Sequence, residues 1–223
     1  MSQAAVDGMT RVLLVRHGET NENVQGIVQG QLDTLLNAVG LQQAQRTGVA
    51  LQAESVTRII SSPLQRTRDT AHHIAAHHGV QIETDPRLME RCFGVLQGRV
   101  YRGPAQKPED TEGIEPSAAM RTRLASFWDD LVADVRASAP RVVVLVSHGG
   151  ALSTLVNQVL LPRGDVVLRE DLEPSRFWNC SITDIHLRAD APGLVVRWAD
   201  TAHLDEATHV VNVDEAGPAP ENA

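Results

Sequence analysis

The chain has 223 residues, of which 42% are hydrophobic and 22% charged, and a formal net charge of −8. That length can bury one domain's core without staples, and the acidic balance excludes a broad basic footprint for nucleic acid or an anionic membrane. No apolar run approaches the ~20 residues of a bilayer-spanning helix, Met1 to Thr10 lacks the features of a secretory signal, and Cys92 and Cys180 are too far apart to suggest a disulfide framework, so a soluble chain in a reducing, cytoplasmic setting is expected.

Arg11 to Val15 is a β-branched and aliphatic run that stops abruptly at Arg16-His17-Gly18, which predicts a buried parallel strand delivering polar groups to a sheet edge. Residues 19–30 are polar and glycine-punctuated, a loop over that strand end carrying Asn23, Gln29 and Gly30. Ala44, Val49, Ala50 and Leu51 mark an amphipathic helix over 42–53, and 55–60 reads as a short strand. Ser61-Ser62-Pro63 then predicts a helix start, with a capping serine and a proline at the first helical position, and a helix running to about His78. Arg66 falls in its first turns, where the amino end of the helix should open toward the strand ends and suit an anion clamp.

A strand is expected over 81–85, and residues 97–117, rich in glycine and proline, form a long irregular stretch of the kind that makes a lid. Helical spacing of Met120, Leu124, Phe127, Trp128, Leu131, Val132 and Val135 predicts a helix over 117–137. Arg141 to Val146 is a second hydrophobic strand ending in Ser147-His148-Gly149-Gly150, and a helix follows as far as Pro162. Strands over 176–187 and 194–200 would form a hairpin through Asp190-Ala191-Pro192-Gly193 at one edge. The alternation predicts an α/β fold, doubly wound, with a mostly parallel sheet flanked by helices and an antiparallel edge strand. Residues 1–204 are expected to form a single domain with a short lid at about 97–117, and 205–223 a mobile acidic tail.

Ligands bind outside the carboxyl ends of strands in open α/β sheets, so two strands that stop at His-Gly can aim both imidazoles into one crevice. Lys107 is the only lysine, and the remaining cations are arginines, whose planar forks match phosphate oxygens. A Walker loop, a cysteine-phosphatase loop after Cys92 and an Asp-x-Asp-x-Thr run are all absent from the sequence. His73 and His77 have a metal-site spacing, but with no evident carboxylate partner the group His72, His73, His77 and His78 reads as a solvated face; no metal and no cofactor are expected. Trp128, Trp178 and Trp198 read as packing residues.

Leu14-Val15-Arg16-His17-Gly18-Glu19-Thr20 with Asn23, Ser62-Pro63-Leu64-Gln65-Arg66-Thr67 with Thr70, Leu88-Met89-Glu90 with Phe93-Gly94, and Ser147-His148-Gly149-Gly150 together resemble the histidine phosphatase superfamily, in the branch related to phosphoglycerate mutases. The resemblance spans roughly residues 11–187. It implies that His17 is a nucleophile that becomes transiently phosphorylated, that Arg16, Arg66 and His148 grip the phosphoryl oxygens, and that Glu90 is the proton donor. Asn23, Gln29, Gly30 and Gly149 are its further phosphate-binding candidates. Spacing alone separates Glu90 from Glu19, Glu83 and Asp85 as the carboxylate, and Arg66 from Arg68 as the clamp.

Three functions follow: a metal-independent phosphatase, a mutase returning the phosphoryl group to a bound sugar acid, and a catalytically silent phosphate-binding partner. The resemblance favours the phosphatase, because the segment between Glu90 and His148 is short and lacks the Tyr-Arg-Arg run of the mutases, leaving a phosphohistidine open to water. The expected ligand is a small phosphorylated metabolite, with no nucleic acid and no membrane; the oligomeric state stays open, a homodimer among the options. Arg91, Arg99, Tyr101 and Arg102 are candidate contacts for a second anionic group or else solvated loop residues.

Overall fold

A computed structural model describes residues 9–100, 112–137, 141–188 and 191–204. The elements in chain order are β1 (Thr10–Arg16), α1 (Asn21–Gln25), α2 (Ala38–Leu51), β2 (Val56–Ser61), α3 (Gln65–Ala75), β3 (Ile82–Thr84), α4 (Ser117–Arg136), β4 (Val142–Ser147), α5 (Gly149–Ser153), β5 (Val166–Leu168), β6 (Ile182–Leu187) and β7 (Gly193–Asp200). A π-helical stretch, Thr154–Leu160, and a closing turn, Leu161–Arg163, prolong α5. The sheet order is β3-β2-β4-β1-β6-β7-β5. β1, β2, β3 and β4 run parallel, β6 runs antiparallel to both β1 and β7, and β5 lies parallel to β7 at the far rim.

Alternation along β1 explains why both faces need helices. Val12 and Leu14 point to the side packed by Leu124, Phe127, Trp128 and Leu131 of α4 and by Leu155 and Val159, while Leu13 and Val15 face Leu51 of α2 and Ala71 and Ile74 of α3. Every residue of β4 is buried, as expected of a strand covered on both faces. Helices α2 and α3 approach closely at Gly48, where a Cβ would stand 2.4 Å from the His73 carbonyl oxygen. His72 and His77 are exposed. Among the described residues no His, Cys, Asp and Glu side chains gather into a metal-binding group, and no helix is long and apolar enough to cross a membrane. Trp128 and Trp198 are buried, the latter donating to the Ser175 carbonyl at 2.8 Å.

The register between β1 and β4 places Arg16 beside Ser147, so the two strands end abreast and His17 and His148 emerge side by side. The His17 backbone N–H extends the ladder by donating to Ser147 O at 3.0 Å.

Two local expectations are corrected and one strand is added. Ser62 does not cap a helix: α3 starts at Gln65 after an extended Leu64, which makes no side-chain cap. The strand expected over 176–187 is confined to Ile182–Leu187, because 174–181 is held as a loop beneath β1, with the Phe177 carbonyl bound to Arg16 and the Cys180 N–H bound to the Arg16 and His17 carbonyls. Val166–Leu168 is a strand that the sequence reading missed, too short for periodicity to register. Of the expected lid, 97–100 and 112–116 pair with their surroundings through the Ile27–Val100 and Phe93–Ile114 bridges, while 101–111, like the tail from 205, fall outside the described residues.

Candidate active site

His17 is almost fully buried, and its Nδ1 lies 2.7 Å from the Gly18 carbonyl oxygen. A carbonyl only accepts, so the ring proton sits on Nδ1 and Nε2 carries the lone pair. Arg66 Nε donates to that Nε2 at 3.3 Å. Burial first, and then the Arg66 and Arg16 cations, push the His17 pKa well below its ordinary value, so the imidazole is neutral. Gly18 is required by packing: a Cβ there would lie 2.5 Å from the Gly40 carbonyl oxygen at the start of α2. Gly18 N–H donates to Thr70 Oγ1 at 3.1 Å, and Thr70 Oγ1 bonds the Arg66 carbonyl at 2.8 Å, tying the turn after β1 to α3.

Arg66 is fully buried, and its fork is fixed by carbonyls of the 28–34 loop, NH1 donating to Leu32 O at 2.7 Å and NH2 to Gly30 O at 2.8 Å. Arg68 instead turns to Gln65 on the same helix. Gln29 is buried beside this loop, with Oε1 accepting from Thr34 Oγ1 at 2.6 Å. Gly30 adopts φ +50°, the left-handed region that favours glycine. Arg16 is also fully buried, with NH1 donating to Phe177 O at 2.5 Å. Asn23 is oriented by its carbonyl oxygen, which accepts from Thr20 N at 3.1 Å and Asn179 Nδ2 at 3.3 Å.

The His148 ring stands 5.2 Å from that of His17, edge to face, and its pKa is lowered by burial first and then by Arg66, His17 and Arg16. Gly149, buried, opens α5 directly after it. Glu90 reaches the same turn, with Oε2 accepting from Gly150 N at 2.9 Å and Oε1 from Arg91 N at 2.8 Å. Burial raises the Glu90 pKa against the opposing pull of those N–H donors, Arg66 and Arg123. The other candidate carboxylates are engaged elsewhere: Glu83 with Arg58, Asp85 with Arg87, and Glu19 with Asn37.

Three supporting residues escaped the sequence reading. Asn179 Nδ2 holds the His17 carbonyl at 3.0 Å. Arg123 on α4 donates to the carbonyls of Arg87, Met89 and Glu90 and forms a two-point pair with Glu115. Glu115 in turn receives Cys92 N at 3.3 Å and its carbonyl receives Arg91 Nε at 2.7 Å. A helix-borne arginine far from the motifs reads as a surface charge in sequence; only contact reveals the clamp. Tyr101 and Arg102 lie outside the described residues, and Arg99 is exposed.

Two neutral imidazoles and two buried guanidiniums converging at the carboxyl ends of parallel strands define an α/β enzyme that handles a phosphoryl group. Residues 12–201 match the model of the histidine phosphatase superfamily (branch 1), and the chain belongs to that superfamily. It is 35% identical over 217 residues to a protein named probable phosphoglycerate mutase GpmB from Yersinia enterocolitica, covering 88% of this chain and 96% of that one. Among solved structures, the mycobacterial glucosyl-3-phosphoglycerate phosphatase aligns with a TM-score of 0.70 at 26% identity over 86% of this chain and 100% of that one. A phosphoglycerate mutase from Bacillus anthracis shares the fold, with a TM-score of 0.72 at 20% identity over 88% of this chain and 95% of that one.

Proposed function

We propose that this chain is a metal-independent phosphatase that hydrolyses small phosphomonoesters through a phosphohistidine on His17, with Glu90 as proton donor. The observation that carries the reading is the pairing of His17, whose lone pair the Gly18 carbonyl's hold on Nδ1 leaves on Nε2, with a carboxyl group whose pKa burial raises. Nε2 attacks phosphorus, the P–O ester bond breaks, and the departing alkoxide takes the Glu90 proton. The Glu90 carboxylate then removes a proton from water, whose oxygen attacks phosphorus and releases inorganic phosphate and neutral His17. Arg16, Arg66 and the His148 ring offset the charge on the nonbridging oxygens, with Asn23, Gln29, Gly30 and Gly149 lining the cradle.

The mutase reading draws on the name of the Yersinia relative and differs only in what receives the phosphoryl group. A panel of phosphomonoesters assayed with EDTA present, comparing the native chain with His17→Ala and Glu90→Gln, separates them. Inorganic phosphate release that is lost in His17→Ala supports hydrolysis. Isomerisation of a phosphoglycerate without phosphate release overturns it in favour of transfer, and binding without turnover overturns both. An acid-labile phosphoryl adduct on another residue removes His17 from the role.

A further inference from the structure

Ser62, which the sequence offers as a helix cap, is used for something else. Its Oγ lies 2.8 Å from His148 Nε2 and receives the Leu64 N–H at 3.4 Å. The residue is locked in place: it is fully buried, its N–H donates to Val146 O at 2.9 Å, and its carbonyl accepts from Ser61 Oγ at 2.8 Å and Thr67 Oγ1 at 2.9 Å. At the other side of the imidazole, His148 Nδ1 is buried with no hydrogen-bond partner, in a ring packed against that of His17.

A neutral imidazole carries one N–H, so His148 helps an anion only if that proton is on the nitrogen without a protein partner. With the proton on Nε2, a lone pair on Nδ1 would meet the phosphoryl oxygens and repel them. The hydroxyl of Ser62 already accepts from Leu64, and the nearest acceptor for its own proton is Nε2. We propose that Ser62 is a positioning residue that donates its hydroxyl proton to His148 Nε2, fixes the imidazole proton on Nδ1, and so makes His148 a neutral donor to the bound phosphoryl group. This deepens the phosphatase reading and rests on it only for the identity of the anion.

The groups that bear on His148 are Arg16 and His17 at the end of β1, Arg66 from α3 and Arg123 from α4, and Glu90 shares the following turn. All of these except Glu90 oppose a charge on the ring, which is why the tautomer matters near neutral pH.

Long-range 15N NMR on the full chain without ligand tests the proposal directly. The Nδ1-protonated form of His148 is expected; an Nε2-protonated form overturns it, whatever Ser62 variants do. Inorganic phosphate binding and kcat/KM are then compared for the native chain and Ser62→Ala. Affinity should fall about tenfold near neutral pH, one charge-assisted hydrogen bond's worth, and the 15N signature of His148 in Ser62→Ala should lose its Nδ1-protonated form in favour of the Nε2-protonated one. A loss of affinity in Ser62→Ala with the Nδ1-protonated signature of His148 unchanged marks Ser62 as merely structural and overturns the proposal. The NMR and phosphate-binding arms need no turnover, so they stand even if the hydrolytic reading fails.

Discussion

The backbone N–H of Gly150 donates to the Glu90 carboxyl at 2.9 Å, and a Cβ on Gly150 would fall 2.6 Å from Oε1 of the same group. The second glycine after His148 therefore serves the proposed proton donor: it lets the backbone approach the carboxyl closely. The atom in the way is the far end of a side chain, so a Cβ there would displace the Glu90 carboxyl rather than the backbone.

Gly150→Ala should lower kcat by roughly 10- to 100-fold, within what a displaced proton donor costs, while KM and Tm change little. Steady-state kinetics beside a thermal melt checks this. A large fall in Tm with proportionate loss of folded protein would show that the glycine is needed for packing instead.

The pH profile follows from two opposite shifts. The His17 pKa is pushed well below the ordinary histidine value, and burial raises the Glu90 pKa above the ordinary carboxyl value. Activity in the first chemical step should form a plateau, falling on the acid side only below the usual histidine pKa and on the alkaline side as Glu90 loses its proton. Glu90→Gln should remove the alkaline limb. It should cost roughly 10²- to 10⁴-fold for alkyl phosphates, the range for general acid catalysis, and far less for burst-phase phosphorylation from p-nitrophenyl phosphate, whose leaving group needs no proton.

The same burial of His17 makes a stability statement. Its folded pKa is depressed, so below the unfolded value the unfolded chain binds the extra proton and stability is lost as pH falls. Each such histidine steepens the loss by about 1.4 kcal/mol per pH unit. Denaturant titrations of native protein and His17→Asn between about pH 6.5 and 5 should give curves whose slopes differ by about that amount. Parallel curves would mean the ring is protonated in the folded state.

Arg123 holds the segment of the proposed proton donor from behind, through three carbonyls and Glu115. Arg123→Ala leaves a mostly buried carboxylate unpaired and should cost about 3 kcal/mol, the lower end for breaking a buried pair, with kcat falling more than KM rises. Because Arg123 also opposes the upward shift of the Glu90 pKa, its removal should move the alkaline limb to higher pH. Chemical denaturation and a pH profile of kcat together test this; an unmoved limb separates Arg123 from the acid.

Much of this site is legible in the chain itself. Hydrophobic runs that end at Arg16-His17-Gly18 and Ser147-His148-Gly149 announce strands with chemistry at their carboxyl ends, because period-two burial on both faces leaves no other place for the polar groups. The motif order then named Arg66 and Glu90. The supporting contacts were not legible: Ser62 reads as a cap, Asn179 falls inside the strand expected over 176–187 and nothing marks Arg123, since these residues reach the site through His148, His17 and the Glu90 carbonyl, 86, 162 and 33 positions away. Sequence by itself determined the family, the α/β alternation and the reactive residue types, all of which are encoded locally. Tertiary structure decided which nitrogen of His17 is presented and which of the candidate carboxyls is buried enough for its pKa to rise. Those properties depend on hydrogen-bond partners and burial, which exist only after distant segments pack together.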